Sequence, residues 1–488
     1  MLLGGANTWA DTTKCAGLRQ LANDDYTIVN AQHAGAYCFV EGVIPNTIRF
    51  WLWLPDDWNG RFVMRGGGGY AGHSSGIDPV DPLRDKGYAI ATTDTGHDAR
   101  THPLASFAYN NGAQEIDYAY RAVHLTATKA KDLMAGYYGH KPKYDYWHGC
   151  STGGRQGLMS AQRFPQDFDG ILANAPVLDF TNTQISGVWA GRILQASTLT
   201  PEKVRAVGEA IYAACDAIDG LTDGLIRDPR SCSFDVTTDM PRCSDKKSDS
   251  CLTSGEAADM AAIYQGVQSG GETYFPGQPL GAELPGRYSA PPFDQSGWHL
   301  WYFGVGERRP LLEAFGVSFM RYLAFPVDNP DWQLNDFDFD TDPYRMDAIR
   351  QTLDAVDPDL SEFKDQGGKM ITFHGWSDTA LNPRMAINYY EQVAARDADV
   401  RDYYRLYMVP GMFHCRGGRG ITHLEPFEDL TQWVEQGQAP DELIGEQRDL
   451  SGNVKMTRAV CPYPQVAVYI GDDPNTAQSF VCAPPGDS

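Results

Sequence analysis

A serine lies between a strand-like run and a helix-like run in residues 144–155, in the frame Gly149-Cys150-Ser151-Thr152-Gly153. This Gly-x-Ser-x-Gly frame has the form of a nucleophile elbow, in which small flanking residues let the serine Oγ project from the tip of a strand. The helix that follows directs free N–H groups towards developing oxyanion charge. By itself the motif is equally compatible with a glycine-rich turn, because short motifs also occur by chance.

Two distant segments could supply the other members of a catalytic triad. Asp378 follows an apolar, strand-like run at residues 370–373, so its carboxylate is expected near the end of a strand. His414 follows a second strand-like run at residues 404–409. The order serine, aspartate, histidine along the chain is the order of the α/β-hydrolases.

Cysteines adjoin both the serine and the histidine. Cys150 precedes Ser151, and Cys415 follows His414. A disulfide between the two cysteines would hold their Cα atoms about 5.5 Å apart. It would therefore bring Ser151 and His414 within mutual reach.

This combination resembles the tannase and feruloyl esterase family of α/β-hydrolases, which also includes the mono(2-hydroxyethyl) terephthalate hydrolases. The family pattern, Cys-Ser…Asp…His-Cys, is carried here by Cys150, Ser151, Asp378, His414 and Cys415. The resemblance covers nearly the whole chain, from about residue 15 to residue 482. It implies an α/β fold, namely an α/β-hydrolase core with a mostly parallel sheet and a large inserted lid domain. It also implies catalysis by Ser151 as nucleophile, His414 as base and Asp378 as the acid that orients the histidine.

Length and composition favour a globular protein with an acidic surface. A chain of 488 residues predicts two domains, or one domain with a large insertion. No run of about 18 apolar residues occurs, which argues against a membrane partner. The 40 Lys and Arg against 63 Asp and Glu give a net charge of −23, which argues against nucleic acid as a partner. The simplest interpretation of this acidity is solubility of a secreted protein.

Ten cysteines, an even number, are most simply explained by five disulfides. Beside Cys150 and Cys415, the pairs that lie close in sequence are Cys15 with Cys38, Cys215 with Cys232, Cys243 with Cys251, and Cys461 with Cys482. Metal binding would call for short Cys-x-x-Cys spacings, and the sequence has none. Disulfides indicate an oxidising compartment, so we expect a secreted or periplasmic protein. The first residues lack a basic region followed by an apolar core, so we expect that a signal peptide has been removed.

Alternating strand-like and helix-like segments predict a mostly parallel sheet built from residues 1–179 and 366–488. Helical periodicity predicts a long helix over residues 115–134 beside the elbow. Residues 180–365 lack this alternation and are rich in aromatic residues, cysteine, proline and glycine. An insertion at this point would lie over the carboxyl ends of the strands as a lid.

A glycine-rich stretch, residues 66–72, follows the strand-like run 61–65. Glycines let backbone N–H groups approach a ligand closely, but no Gly-Lys-Ser/Thr follows, which excludes a phosphate loop. We expect an oxyanion hole formed by the N–H of Thr152 and that of one glycine in 67–69, with Gly68 as the candidate. The alternative is a flexible turn.

Three carboxylates are spaced along a glycine-containing stretch of the predicted lid, at Asp216, Asp219 and Asp223. Hard cations such as Ca²⁺ prefer several oxygen ligands on a looped chain, although the EF-hand spacing and its final Glu are missing. The sequence alone leaves a solvated acidic turn as the alternative. The resemblance implies a structural calcium bound by these three carboxylates and by the carbonyls of Leu221 and Leu225. It implies no organic cofactor.

The resemblance implies a small aromatic ester as the substrate partner, free or attached to plant polysaccharide. Feruloyl and other hydroxycinnamoyl esters are expected first, with gallate esters and mono(2-hydroxyethyl) terephthalate as alternatives. Thr152 stands where the terephthalate monoester hydrolases carry Glu, which argues against the last of these. Family position places His374 and Leu381 in the substrate-binding wall. Lid arginines that could pair with a substrate carboxylate are Arg308, Arg309 and Arg321, although such residues are commonly surface charges.

A protein of another class could share part of this pattern. An inactive, calcium-stabilised protein that binds phenolic compounds or carbohydrate would also need a pocket and a rigid lid. It would have no need of a complete triad beside a disulfide, so the intact set of residues argues for an enzyme.

Overall fold

A nine-stranded sheet forms the centre of the molecule. The structure is a computed structural model that describes residues 13–45, 47–72, 81–243, 248–287 and 297–486. The N-terminal residues behind the signal-peptide expectation lie outside these ranges. The strands are β1 (Thr27–Ala34), β2 (Tyr37–Ile44), β3 (Ile48–Pro55), β4 (Arg61–Arg65), β5 (Ala89–Thr93), β6 (Tyr144–Cys150), β7 (Gly170–Asn174), β8 (Gly266–Ser269), β9 (Glu272–Pro276), β10 (Lys369–Gly375), β11 (Tyr404–Val409), β12 (Leu443–Arg448), β13 (Val454–Val460), β14 (Val466–Tyr469) and β15 (Phe480–Ala483).

The central sheet has an antiparallel part and a parallel part. The pairs β1-β2, β2-β3 and β3-β5 are antiparallel, whereas β5-β4, β4-β6, β6-β7, β7-β10 and β10-β11 are parallel. Parallel strands buried on both faces are continuous apolar runs, and all of β7 is buried. The predicted α/β-hydrolase fold with a mostly parallel sheet is confirmed. Because parallel strands end at one edge, the loops after β4, β6, β10 and β11 meet there.

Helices surround the sheet and extend into the inserted segment. The α-helices are α1 (Pro82–Asp85), α2 (Gly112–Ile116), α3 (Ala122–Tyr138), α4 (Thr152–Arg163), α5 (Phe180–Ala196), α6 (Pro201–Cys215), α7 (Ser254–Gln265), α8 (Leu311–Tyr322), α9 (Asp347–Leu353), α10 (Ser361–Asp365), α11 (Arg384–Arg396) and α12 (Phe427–Gln436). None of the described helices is both long and apolar enough to cross a membrane.

The long helix predicted over residues 115–134 is interrupted near its start. A π-helical turn, Asp117–Arg121, lies between α2 and α3. Such turns insert an extra residue and commonly mark functional sites. Here the turn carries Tyr118, whose hydroxyl donates to Gly69 O at 3.2 Å in the glycine-rich loop.

The inserted segment, residues 180–365, contains α5 to α10 and the β8-β9 hairpin. Part of it has a hydrophobic cluster of its own that includes Val207, Met260 and Trp298. Two disulfides, Cys215–Cys232 and Cys243–Cys251, cross-link this part. Other residues, such as Phe180 of α5 and Phe319 of α8, belong to the main core. The segment is therefore anchored to the sheet core through α5 and α8.

Candidate active site

Ser151 occupies a strained turn between β6 and α4. Its backbone has φ 63° and ψ −120°, a left-handed conformation that costs a non-glycine residue about 1 to 3 kcal/mol. The Ser151 N–H donates to Asn174 O at 2.9 Å, which ties the turn to the end of β7. A Cβ added at Gly149 would lie 2.5 Å from the backbone of Gly153, so glycine is required there. The strained serine conformation and the close backbone approach are those of a nucleophile elbow.

Asp378 and His414 lie at the ends of β10 and β11 and are hydrogen-bonded to each other. The distance from His414 Nδ1 to Asp378 Oδ2 is 2.8 Å. This bond occupies one ring nitrogen and leaves Nε2 of His414 for proton transfer. Ser151 and His414 both line the same cavity, and the Ser151 hydroxyl makes no hydrogen bond to any other described residue. The structure thus brings the three predicted triad residues to one edge of the sheet.

The carboxylate of Asp378 is fully buried and held on all sides. Its Oδ1 accepts from the N–H groups of Ala380 and Leu381, both at 2.9 Å. Burial alone would raise the pKa of Asp378, but the facing rings of His414 and His374 outweigh that effect and hold it well below its usual range. Asp378 is therefore ionised at neutral pH.

His374 is not among the described residues that line the cavity, so the structure gives no support to its predicted place in the substrate-binding wall. Its side chain is fully buried behind Asp378. The Nε2 atom lies 3.3 Å from Asp378 Oδ2 and 3.2 Å from Leu381 O. Both neighbours are acceptors, so Nε2 must carry a proton that it shares between them. His374 thus acts on Asp378.

The glycine-rich loop after β4 has N–H groups that are already engaged and others that are not. Gly66 N–H donates to His148 O at 3.0 Å, and Gly67 N–H donates to Gln156 Oε1 at 3.1 Å. No described residue accepts from the N–H of Gly68 or from that of Thr152, and both residues line the cavity. The Thr152 hydroxyl donates to Gly69 O, which joins the elbow to this loop. The geometry therefore argues against Gly67 as an oxyanion donor and leaves Gly68, together with Gly69, available.

A disulfide joins the two halves of the site. Cys150 and Cys415 are bonded, with their Cα atoms 6.3 Å apart across a sequence separation of 265 residues. Their sulfurs and a ring nitrogen of His414 all lie within 4.8 Å of one another. Bonded sulfurs are not thiolates, so this cluster is a tether and not a metal site. All four other predicted pairs are bonded as well.

An apolar cavity of about 860 Å³ opens at Ser151 and His414. Its size and composition are typical of a small-molecule site. Aromatic walls come from the inserted segment, including its helix α5, with Phe180, Trp301 and Phe315 among the lining residues. The ring edge of Trp301 meets the His414 ring, with centroids 5.7 Å apart. Other aromatic residues of the insertion pack away from the cavity, such as Trp298 in the insertion's own cluster and Phe319 in the main core.

Only some of the predicted pocket residues line the cavity. Leu381 lines the cavity. Arg308, Arg309 and Arg321 are not among its described lining residues; Arg309 lies 3.6 Å from Glu313, and Arg321 donates to Trp332 O at 3.0 Å. Sequence reasoning missed Arg416, which lines the cavity two residues beyond His414. Its adjacency to the His-Cys pair was the signal that could have identified it.

The predicted calcium ligands Asp216, Asp219 and Asp223 lie along the turn after α6. Asp216 accepts from the N–H groups of Asp223, Gly224 and Leu225 at 2.9 to 3.2 Å. Burial raises the pKa of Asp219, and the neighbouring carboxylate of Asp223 raises it further. A bound cation would relieve this repulsion, and oxygen donors are the ligands that Ca²⁺ prefers. Arg458, 2.8 Å from Asp223, neutralises part of the charge. The set offers the oxygen donors that a hard cation prefers, but the three carboxylates do not converge on one point. Among the described residues, only Cys150, His414 and Cys415 bring three candidate ligand atoms within 4.8 Å of one another.

A family model described as tannase and feruloyl esterase matches residues 36–483. With this fold and this match, the chain is a carboxylic ester hydrolase of the α/β-hydrolase class, and it belongs to the tannase and feruloyl esterase family.

Two sequence relatives and one solved structure illustrate the similarity. An uncharacterized esterase of Xanthomonas campestris pv. campestris is 33% identical, over 94% of this chain and 86% of the relative. The mono(2-hydroxyethyl) terephthalate hydrolase of Piscinibacter sakaiensis is 31% identical, over 92% of this chain and 85% of the relative. The crystal structure of feruloyl esterase B from Aspergillus oryzae is similar with a TM-score of 0.84 at 25% identity, covering 97% of this chain and 100% of that one.

Proposed function

We propose that this protein hydrolyses esters of aromatic carboxylic acids, with hydroxycinnamoyl esters such as feruloyl esters preferred, through a Ser151-His414-Asp378 triad. The observation that carries the proposal is that a strained Ser151 turn and a histidine hydrogen-bonded to a buried aspartate line one aromatic-walled cavity. Names of relatives in the family, a feruloyl esterase among them, are consistent with this substrate class.

In the proposed reaction, Ser151 Oγ attacks the ester carbonyl carbon while its proton passes to His414 Nε2. The N–H groups of Thr152 and Gly68 stabilise the oxyanion, each worth about 3 kcal/mol in comparable sites. His414 then gives the proton to the alcohol oxygen as the carbon–oxygen bond breaks, which leaves an acyl-enzyme. Water, deprotonated by His414, releases the acid and restores Ser151. Asp378 holds His414 in the correct tautomer throughout.

The lining of the cavity supports a neutral aromatic acyl group. Phe180 and Phe315 offer flat apolar surface, and the amide of Gln184 is buried with no hydrogen-bond partner among the described residues. That amide can bind a phenolic hydroxyl. The described lining residues from α5 and α8 include no cation, which argues against an acyl group with a second carboxylate, such as terephthalate. The ester itself is free or attached to plant polysaccharide, which release of ferulate from a feruloylated arabinoxylan would test.

We further propose that Asp216, Asp219 and Asp223, with the carbonyls of Leu221 and Leu225, bind a structural Ca²⁺ that stabilises the inserted segment as a lid. The ion would neutralise the carboxylates and take no part in ester cleavage. We also propose a secreted or periplasmic location, which the five disulfides support because such bonds persist in oxidising compartments. Detection of the protein in culture medium or periplasmic extract would test the location.

A kinetic panel tests the substrate assignment. We expect kcat/KM for methyl ferulate to exceed the values for methyl gallate and mono(2-hydroxyethyl) terephthalate, because the acyl wall is aromatic and uncharged. A higher value for either competitor would replace the feruloyl assignment with that substrate class.

The nucleophile is tested by Ser151→Ala, which should lower turnover by about 10⁴-fold or more. Ser160→Ala is the matched control, since Ser160 lies on α4 and its hydroxyl donates only to Gln156 O. If Ser151→Ala kept more than a thousandth of wild-type turnover while the control was unaffected, another residue would be the nucleophile.

A further inference from the structure

Arg416 is the only arginine or lysine among the described residues that line the cavity. The same described lining contains no Asp or Glu, although the chain carries a net charge of −23. No described carboxylate forms an ion pair with Arg416, and its side chain is exposed at the cavity. A guanidinium with free donors in an acid-free wall is suited to a carboxylate, which it can bind through two parallel hydrogen bonds.

The position of Arg416 is fixed by its neighbours in the chain. Phe413 N–H donates to Gly417 O at 3.1 Å, which closes residues 414–416 into a turn. Gly417 N–H donates to Thr422 O at 2.9 Å, and Cys415 is bonded to Cys150. The backbone that carries Arg416 is therefore held by the same contacts that hold the proposed proton donor. A residue placed in this way binds with little cost in backbone ordering.

The side of the cavity occupied by Arg416 follows from the chemistry of esterases. In acyl transfer through a serine triad, the histidine protonates the departing alcohol, so groups beside the histidine flank the alcohol portion of the ester. Arg416 is two residues from His414, and Leu450 also lines this cavity from the turn between β12 and β13. Arg416 therefore faces the leaving group, whereas α5 and α8 flank the acyl group.

The acid on the β12-β13 turn, next to the lining residue Leu450, is already engaged. Asp449 lies 2.9 Å from Lys455 Nζ and accepts from the N–H groups of Ser451 and Asn453, both at 2.9 Å. Its carboxylate is thus satisfied by its own turn. It leaves Arg416 available to a substrate.

We infer that Arg416 is a specificity-determining residue that binds an anionic group on the alcohol portion of the ester, so that esters of hydroxy acids are preferred over uncharged analogues. This inference rests on the proposed role of His414 as the proton donor to the alcohol. It adds a charge preference on the alcohol portion to the proposed preference for the acyl group.

The test compares esters that differ only in charge. The acyl group is the one that performs best in the methyl ester panel, and the alcohols are glycolic, 3-hydroxypropanoic and 4-hydroxybutanoic acid, each paired with its primary amide. For at least one chain length we expect kcat/KM to favour the acid over the amide by about fivefold at low salt, the range of an exposed ion pair. The preference should fall as sodium chloride is raised, because salt screens exposed charges.

Variants of Arg416 assign the preference to the residue. Arg416→Gln should bring the acid-to-amide ratio to about one, Arg416→Lys should keep most of it, and Arg416→Glu should invert it. The ratio cancels any general loss of activity or folded protein. Arg309→Gln, which removes the same charge from an exposed site outside the cavity, should leave the ratio unchanged. An equal ratio in wild type and Arg416→Gln at every chain length would overturn the inference, while methyl ester hydrolysis in the same preparations tests the proposed function separately.

Discussion

Two buried aspartates in this molecule have pKa shifts of opposite sign. Asp378 is 0% exposed and Asp354 is 9% exposed, so both carboxylates have lost most of their contact with water. Loss of water disfavours the charged form and raises a carboxyl pKa. Asp354 follows that rule, whereas the pKa of Asp378 is held well below its usual range. Burial sets the direction of the pKa shift of a carboxyl group only when the partners of that group do not oppose it.

The partners explain the difference. Two histidine rings and two backbone N–H groups converge on Asp378. Asp354 accepts from Thr181 N–H and its hydroxyl at 2.8 and 3.0 Å, but it also faces the carboxylate of Asp179, and Arg350 stays 3.9 Å away. Burial first and Asp179 second therefore raise the pKa of Asp354. One site stabilises a carboxylate charge beside His414, and the other holds the start of α5 with a carboxyl that prefers to be neutral.

Asp378→Asn should have the largest effect of the changes that probe this comparison. An asparagine can keep its oxygen on the N–H groups of Ala380 and Leu381 only by turning its NH₂ towards His414, which then adopts the wrong tautomer. We expect kcat to fall by about 10⁴-fold with the fold retained. Steady-state kinetics and circular dichroism of the variant would measure both. A loss of less than about tenfold would show that Asp378 is not the acid of the triad.

Calcium removal should have the next-largest effect. The proposed lid site contains carboxylates and no histidine, unlike the surroundings of Asp378. For an ion present at a hundred times its Kd, binding contributes about 2.7 kcal/mol to the free energy of unfolding. Chelation or Asp219→Asn should therefore lower Tm by about 5 °C and change turnover little while the protein stays folded. Differential scanning calorimetry with and without EGTA, with metal analysis, measures this.

Asp249→Asn, an exposed acid in the same inserted segment, is the control and should not respond to calcium. If chelation left Tm unchanged, the structural calcium proposal would be wrong. If it abolished turnover at an unchanged Tm, a catalytic metal would have to be considered.

Replacing His374 should have a smaller effect that is visible in the pH profile. His374→Phe removes one hydrogen-bond donor from Asp378. Because the Asp378 charge is then less stabilised by other groups, it interacts more strongly with protonated His414. We expect kcat to fall about tenfold, or 1.4 kcal/mol, with little change in KM. The acid limb of kcat/KM should also shift to higher pH. His374→Gln, which can return an N–H to the same place, should restore most of both. Equal profiles for the two variants would leave His374 with a packing role only.

The smallest effect is expected for Asp354→Asn. An exposed aspartate has a pKa of about 3.9. In the folded protein, Asp354 keeps its proton at pH values above that. The folded state therefore binds more protons than the unfolded state, and the free energy of unfolding falls as pH rises through that window. Asparagine still accepts from Thr181 and carries no charge. At pH 8 its Tm should exceed that of wild type by about 2 to 4 °C, with no gain at pH 4.

Thermal unfolding across pH 4 to 8 would check this prediction. Asp357→Asn, an exposed neighbour, serves as the control and should follow the wild-type curve. If the plot of Tm against pH for Asp354→Asn ran parallel to that of wild type, Asp354 would be ionised in the folded protein.

Much of the fold could be predicted from local patterns. The apolar runs of the parallel strands and the glycines around Ser151 are local signals, and each fell within the observed element. The helix predicted over 115–134 lost its first turns to the π-helical turn at Asp117–Arg121, because that turn depends on what Tyr118 and Asp117 contact in three dimensions. The buried place of His374 could not be predicted, because a residue beside a catalytic acid can face the cavity or the core, and sequence does not distinguish the two.

The sequence by itself determined which residue types recur at the carboxyl ends of strands, namely Ser151, Asp378 and His414, and which cysteines can pair. Those are properties of order and spacing along the chain. Only the tertiary structure decided that Gly68 and not Gly67 has a free N–H, that Arg416 lines the cavity, and that two buried aspartates titrate in opposite directions. Each of these depends on distances of 3 to 4 Å between segments far apart in sequence, where hydrogen bonding and desolvation take effect.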